Sequence, residues 1–293
     1  WNYNQVEKLW VYNLNYFNFL NNNQKQIRKK HELIKAWNRS NLKFNGIGWE
    51  PYPLSLRITN WIKWDLENNI LDDEDLMCLI IQTRYLFKNI EYHLLGNHLI
   101  ANAKALIYSG IYFAGNESVK WFEKGKNILL KELPEQILDD GGHFELSPMY
   151  HLIILEDLLD IWNLLKSANL NEKELESLIK EKIIKMFRWS CVMSLPDDEI
   201  PFFNDAALKI AKTLTELKLY AKRTNISLKS KTKKKIVYLK DTGFISCKYG
   251  DISLLYDVGE VGPSYFPSHG HADTLSFELA YNKSRLFVNS GTS

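Results

Sequence analysis

Near residue 225 the spacing of apolar side chains changes period, and this change restricts the possible folds more than any single motif does. Upstream, apolar residues recur every three or four positions, the spacing that gathers them on one face of a helix; Ile27, Leu33, Ile34 and Trp37 form one such set. The pattern predicts helices over about 24–38, 54–68, 73–91, 97–113, 118–137, 148–168, 172–194 and 204–222, separated by short Gly, Pro, Asn or Asp breaks. Downstream the period falls to two. Strands are expected at 236–240, 243–249, 252–257, 275–281 and 285–289, with Tyr249-Gly250-Asp251 as a tight hairpin turn. Helices joined by short loops pack as antiparallel pairs. The expected class is therefore α+β, with a helical domain over 1–226, a basic linker over 227–235 and a β domain over 236–293. Residues 1–20, aromatic and Asn-rich, read as an irregular lead-in, and a last strand running almost to Ser293 reads as the first part of a larger sheet cut short.

Composition removes several classes of function. With 37 basic and 35 acidic residues the net charge is only +2, which announces no nucleic-acid partner. Three widely spaced cysteines, Cys78, Cys191 and Cys247, suit neither a disulfide framework nor a Cys-rich metal site. No apolar run reaches the roughly 20 residues needed to span a bilayer. Nine Trp and fifteen Tyr leave two readings open, aromatic helix packing or a surface that stacks on sugars. A start at Trp1 is what a chain freed of an upstream segment shows, and a periplasmic or secreted location is the expectation. Oligomeric state is not readable.

Six of the seven histidines fall in or near three short stretches. In Asp140-Gly141-Gly142-His143-Phe144-Glu145-Leu146-Ser147-Pro148-Met149-Tyr150-His151, the glycines end one helix, and Ser147-Pro148 starts the next as N-cap and first helical residue. That puts Tyr150 in a first helical turn beside a polar loop, a place suited to anion binding and proton transfer. Gly96-Asn97-His98 opens another helix, where Asn97 stands as either a cap or a functional amide. His269-Gly270-His271-Ala272-Asp273, in a loop beginning at Val258, is the most specific of the three. Packing seldom demands two histidines around a glycine, and one imidazole can ligate a metal while the other faces substrate. A fourth stretch, Pro196 to Asp205, reads as a solvated acidic loop followed by a helix cap.

The segments GNHLIANAKAL (96–106), DGGHFELSPMYH (140–151) and HGHADTLSFEL (269–279), in that order, resemble the heparinase II/III family of polysaccharide lyases and its alginate-lyase relatives. WEPYPLSLRITNWIKW (49–64) and VNSGT (288–292) resemble it too, so the likeness covers nearly the whole chain. It implies an α/α toroid, an incomplete barrel of antiparallel helix pairs, followed by the start of an antiparallel β-sandwich. The implied reaction is β-elimination from a uronate-containing, acidic polysaccharide, with no cofactor required for catalysis. By the same resemblance Asn97, with His98, neutralises the uronate carboxylate, while Tyr150 and His269 divide the base and acid roles. Arg57, Trp61, His143 and Glu145 are expected at the substrate. His271 corresponds to a ligand of a structural zinc. Against tight zinc binding, Asn289 replaces the family's aspartate, and a third ligand is expected past Ser293. Two other functions remain open: a toroidal glycoside hydrolase using two carboxylates among Asp139, Asp140, Glu145, Asp198 and Asp205, and a catalytically silent glycan-binding or capsule-assembly protein.

Overall fold

The structure, a computed structural model, describes residues 1, 6–21, 25–41, 44–228, 235–262 and 269–292. They form two compact units, Trp1–Leu129 and Leu130–Ser293. The first holds α1 (Lys8–Tyr16), α2 (Ile27–Ser40), α3 (Pro51–Asn68), α4 (Asp73–Lys88), α5 (Gly96–Tyr112) and most of α6 (Asn116–Gln136). Pro51 sits where a missing N–H costs nothing and starts α3. An Asp72–Asp75 capping box starts α4. Helix α3 is the centre of this unit and packs against α1, α4 and α5.

Tryptophan makes much of the core. Trp37, Trp49, Trp61, Trp64, Trp121, Trp162 and Trp189, seven of the nine, are at most 7% exposed. Most of the aromatic excess therefore serves packing. Trp61 meets Trp37 edge-on at 5.8 Å and Phe17 at 5.3 Å. The lead-in expected to be irregular is helical over α1, because Asn15, polar in the sequence, lies inside. Its Oδ1 accepts from Trp37 Nε1 at 2.8 Å and its Nδ2 donates to the Val11 carbonyl at 2.9 Å. A hydrogen-bonded buried amide breaks the apolar pattern without breaking the helix.

The second unit holds the rest of α6, then α7 (Pro148–Ser167), α8 (Lys173–Met193) and α9 (Leu214–Arg223). An antiparallel meander follows, with β1 (Ile236–Leu239), β2 (Phe244–Tyr249), β3 (Ile252–Asp257), β4 (Phe277–Tyr281) and β5 (Ser284–Phe287) in order 1-2-3-4-5. The expected hairpin is present, with Gly250 at φ 57° and Tyr249 paired to Ile252. Trp189, Val192 and Met193 at the end of α8 share one core with Phe203, Leu239, Phe244, Leu255 and Ala280. The sheet thus packs with the late helices, and the division in packing falls inside α6, away from the textural change near 225. Most of the expected linker, 229–234, lies outside the described residues. On the sheet's other face Tyr238, Ile252, Phe277 and Tyr281 are 40–57% exposed, without a covering layer among the described residues.

The helix expected at 204–222 begins only at Leu214. The residues before it are tied to the sheet region: Phe202 N donates to Glu278 Oε1 at 2.6 Å and Asn204 N donates to the Asp273 carboxylate. Backbone donors spent on carboxylates do not enter a helix.

The loop after α6 is seated by Asp140. Its Oδ2 accepts from Asp241 N (3.0 Å), Thr242 N (2.8 Å) and Thr242 Oγ1 (2.9 Å), and Asp140 N returns a bond to Asp241 Oδ2 at 2.9 Å. Trp189 Nε1 donates to the same Thr242 hydroxyl at 3.0 Å. Gly141 has φ +95°, and a Cβ there would stand 2.3 Å from the Lys185 carbonyl oxygen. Both features require glycine. With Gly142 N also donating to Asp140 Oδ1 at 2.9 Å, Asp140→Ala leaves four donors without their acceptor and is expected to cost roughly 2 kcal/mol in chemical denaturation; a change within error would show that the loop holds itself.

Candidate active site

Ser147 caps α7 by accepting from Tyr150 N at 3.5 Å, with Pro148 in the first helical position, as the spacing predicts. Tyr150 therefore leaves the first turn of α7. Its ring lies 4.2 Å from that of His269, centroid to centroid. His269 is held between two carboxylates. Asp205 Oδ2 lies 2.5 Å from Nδ1 and Glu145 Oε2 lies 3.4 Å from Nε2. The dipeptide Asn204-Asp205 places this loop. Asn204 Oδ1 accepts from His271 N at 3.1 Å, while its Nδ2 donates to the Leu146 carbonyl at 3.0 Å. One amide thus joins the stretch before α7 to the stretch carrying His269. The loop's earlier residues, 263–268, lie outside those described.

Electrostatics separates His269 from His143 and His151. Burial alone draws His269 down, but its hydrogen bond to the Asp205 carboxylate and the charges of Glu145 and Asp205 outweigh it and raise its pKa. His143 and His151 are each 1% exposed. Burial, then the charges of His151 and His269, push His143 well below the ordinary histidine range, and burial draws His151 to about 3. His151 Nδ1 accepts from His143 N at 3.2 Å, and its Nε2 faces Ser190 Oγ at 2.9 Å and the Met186 carbonyl at 3.1 Å. These two rings are neutral scaffold. The Tyr150 phenol is pushed well above its usual value by burial, then by Asp205 and Glu145. Above the raised pKa of His269 the site holds a neutral imidazole beside a protonated phenol.

Several sequence-derived assignments change. His143, expected at the substrate, is interior and pairs through Nε2 with Gln136 Oε1 at 3.1 Å. Glu145, 2% exposed, faces His269 and lies behind it. In the first unit Arg57 and Trp61 are both 0% exposed, so neither can touch a sugar. Arg57 stacks 3.8 Å over Trp37 and donates to Gln82 Oε1 and the Gly48 carbonyl, each at 2.7 Å. Asn97 is the second residue of α5, where Leu95 holds the cap position without a side-chain bond, so the capping role is excluded. At 2% exposure its amide is reached only by a group seated deeply against it. His98 Nδ1 lies 3.1 Å from Glu91 Oε2, and the ring stacks on Tyr52 at 4.3 Å. Asn102 supports the same Glu91 oxygen at 3.3 Å. Asp205 and Glu91, the partners of His269 and His98, were not assigned those roles from sequence. Their only signal was that a histidine meant to hold a proton needs an acid beside it.

Three of the five carboxylates put forward for a hydrolase are committed elsewhere. Asp140 is bonded to the sheet turn, and Glu145 and Asp205 flank one imidazole in the space where a hydrolase places its sugar. Among the described residues, no group of three side chains that could hold a metal ion includes His271. The one group of three His, Cys, Asp or Glu side chains with ligand atoms within 4.8 Å of one another is His31, Asp72 and Asp75, elsewhere in the fold. There the Lys35 ammonium already supplies the cation, 2.6 Å from Asp72 and 3.2 Å from Asp75. No described helix is long and apolar enough to cross a membrane.

Comparison with known proteins gives a consistent picture. The family model described as Heparinase II/III N-terminus matches residues 2–227, and that described as Heparinase II/III-like, C-terminal, matches 231–293. A heparin-sulfate lyase of Bacteroides stercoris is 30% identical over 218 residues, 69% of this chain and 32% of its own length. One from Pedobacter heparinus is 32% identical over 112 residues, 38% of this chain and 17% of its own. The chain thus spans a third or less of the length of these relatives. Among solved structures, heparinase III superposes with a TM-score of 0.74 at 21% identity, over 92% of this chain and 47% of that one. A mutant of the heparan sulfate lyase HepC from Pedobacter heparinus gives 0.65 at 20%, over 99% and 50%. At these identities the likeness shows the fold, an α/α toroid followed by a β-sandwich region.

The raised pKa of His269 has a definite sign. Its contribution to stability is full below the unfolded-state value and is lost as pH rises through the folded one. Asp205→Asn removes the stronger partner, so the His269 ring resonances are expected to titrate at lower pH in the variant by NMR; an unmoved titration would show that Asp205 does not set the proton affinity.

Proposed function

The chain belongs to the heparinase II/III family, and from that premise we propose that it carries the proton-transfer centre of a polysaccharide lyase acting on a heparin-sulfate-type glycosaminoglycan. The observation that carries this reading is the Tyr150–His269 pair, with Asp205 behind the imidazole. The proton on C5 of a uronate is hardly acidic until the neighbouring carboxylate is neutralised, because the charge left behind delocalises onto it. Asn97, supported by His98, takes that task. A base then removes the C5 proton, the C–H pair becomes the C4–C5 double bond, and the C4–O bond breaks as the departing oxygen takes a proton.

The protonation states favour His269 as the base and Tyr150 as the acid. Asp205 on Nδ1 fixes the tautomer that leaves Nε2 without a proton and stabilises the imidazolium that forms, the arrangement familiar from Ser-His-Asp enzymes. Glu145 near Nε2 adds to that stabilisation. The phenol, kept protonated by its surroundings, donates to the leaving oxygen. Turnover accordingly rises as pH passes the raised pKa of His269.

Tyr150→Phe tests the division directly. With a uronate polysaccharide the variant is expected to bind glycan but lose at least a hundredfold in the near-ultraviolet absorbance that reports the conjugated double bond, within the ~10²–10⁴-fold range of acid–base catalysis. A uronoside bearing an aryl leaving group, which departs without an acid, is expected to restore turnover. Full activity on the polysaccharide would remove Tyr150 from the reaction, and reducing ends without absorbance would identify a hydrolase. Binding by the unaltered chain with neither product would identify a silent glycan-binding protein.

A further inference from the structure

The first unit contains a cavity of about 780 Å³ that the chemistry above does not use. Its walls come from the segment leading into α3 and from the end of α4 with the residues after it. Phe44, Trp49 and Tyr85 supply an aromatic surface, and Lys88, Asn89 and His93 supply polar groups. The three rings form one cluster: Phe44 stacks on Tyr85 at 5.6 Å and 17°, and Trp49 lies 4.7 Å from Phe44 and 5.3 Å from Tyr85. Trp49 is fixed from behind, its Nε1 donating to the Asn41 carbonyl at 2.6 Å. Phe44, by contrast, is 50% exposed. It also holds φ 48°, a left-handed conformation that a bulky side chain adopts only at a cost. A strained, half-exposed ring kept beside two others presents a surface that packing alone does not require.

The charges point the same way. Neither Lys88 nor His93 has an ion-pair partner among the described residues. The one carboxylate of the lining, Glu50, is already taken, by Lys8 Nζ at 2.9 Å and by the Tyr12 hydroxyl. The cavity therefore offers an aromatic face and two uncommitted cation-forming groups. It also adjoins the His98 environment. Glu50 and Pro51 line it, and the next residue, Tyr52, stacks on His98 at 4.3 Å.

We propose that this cavity is a saccharide subsite, resting on the lyase reading, that seats an acidic sugar of the polysaccharide other than the one losing its C5 proton. The C–H face of a pyranose lies on Phe44 and Tyr85, and its carboxylate or sulfate is met by Lys88 and His93. A flat apolar face flanked by the Lys88 ammonium and the His93 imidazole matches a sugar that has an apolar face and an anionic rim. The subsite adds affinity for long chains without touching the bond that breaks, so its contribution appears with substrate length.

The test uses the whole chain with size-defined sulfated uronate oligosaccharides, a tetrasaccharide and a decasaccharide, by calorimetry and by turnover. Two variants are used: Phe44→Gly, which takes φ 48° without strain and so preserves the loop, and Lys88→Ala on an exposed position. Each is expected to weaken decasaccharide binding about fivefold, a modest contact loss on the affinity scale, with the tetrasaccharide unchanged. Lys88→Ala is also expected to flatten the salt dependence. Equal effects on both lengths, or none on either, would overturn the subsite. If the unaltered chain cleaves both glycans while the variants do not discriminate, the subsite falls and the lyase stands. If it binds the decasaccharide with the expected length dependence but forms no double bond, the subsite stands and the lyase falls. If it binds neither glycan, both fall.

Discussion

The proposed proton transfer depends on one arrangement, an imidazole held between two carboxylates with a phenol against its face. His269 lies outside the described helices and strands, where a side chain is held only by what it bonds to. Here Asp205 takes one ring nitrogen at 2.5 Å, Glu145 stands 3.4 Å from the other, and Asn204 ties the neighbouring backbone to the loop that precedes Tyr150. The same contacts that fix the ring also raise its affinity for a proton. Position and basicity therefore have one cause, which is why the two carboxylates matter more than their distance from any substrate suggests.

Behind this pair lies a layer of groups that do no proton transfer. His143 and His151 are buried and neutral, and the backbone N–H of His143 donates to His151 Nδ1. Asp140 bonds the loop to the β1–β2 turn, and Trp189 secures the same Thr242 hydroxyl from α8. The site thus depends on the sheet as much as on the helices. Packing agrees, since Trp189, Phe203 and Phe244 belong to one core.

Much of this was legible in the residues. The change of apolar period near 225 located the sheet, and Ser147-Pro148 located the helix start that presents Tyr150. What was not legible has physical reasons. Arg57 and Trp61 looked like substrate contacts because a charge and a large ring suggest a surface. Both are interior, the guanidinium being satisfied by Gln82, the Gly48 carbonyl and the face of Trp37. Helix α1 was hidden by asparagines, one of which is buried and bonded. The partner of His269 stands 64 positions earlier in the chain, in a stretch that reads as a helix cap. Spacing carries no information about such a contact, because the fold alone brings the two together. Histidine clustering picked out the stretches, and burial then separated His143 and His151, which are interior, from His269.

The central claim is that a carbon-bound proton leaves the uronate. It is tested most directly with a polysaccharide carrying deuterium at C5 of its uronates, the products being weighed by mass spectrometry. The account predicts that each newly formed non-reducing end has lost its deuterium and is lighter by one water than a hydrolytic end, with turnover slowed relative to the unlabelled chain where proton removal limits the rate. New ends that retain the label and carry an added water would contradict it.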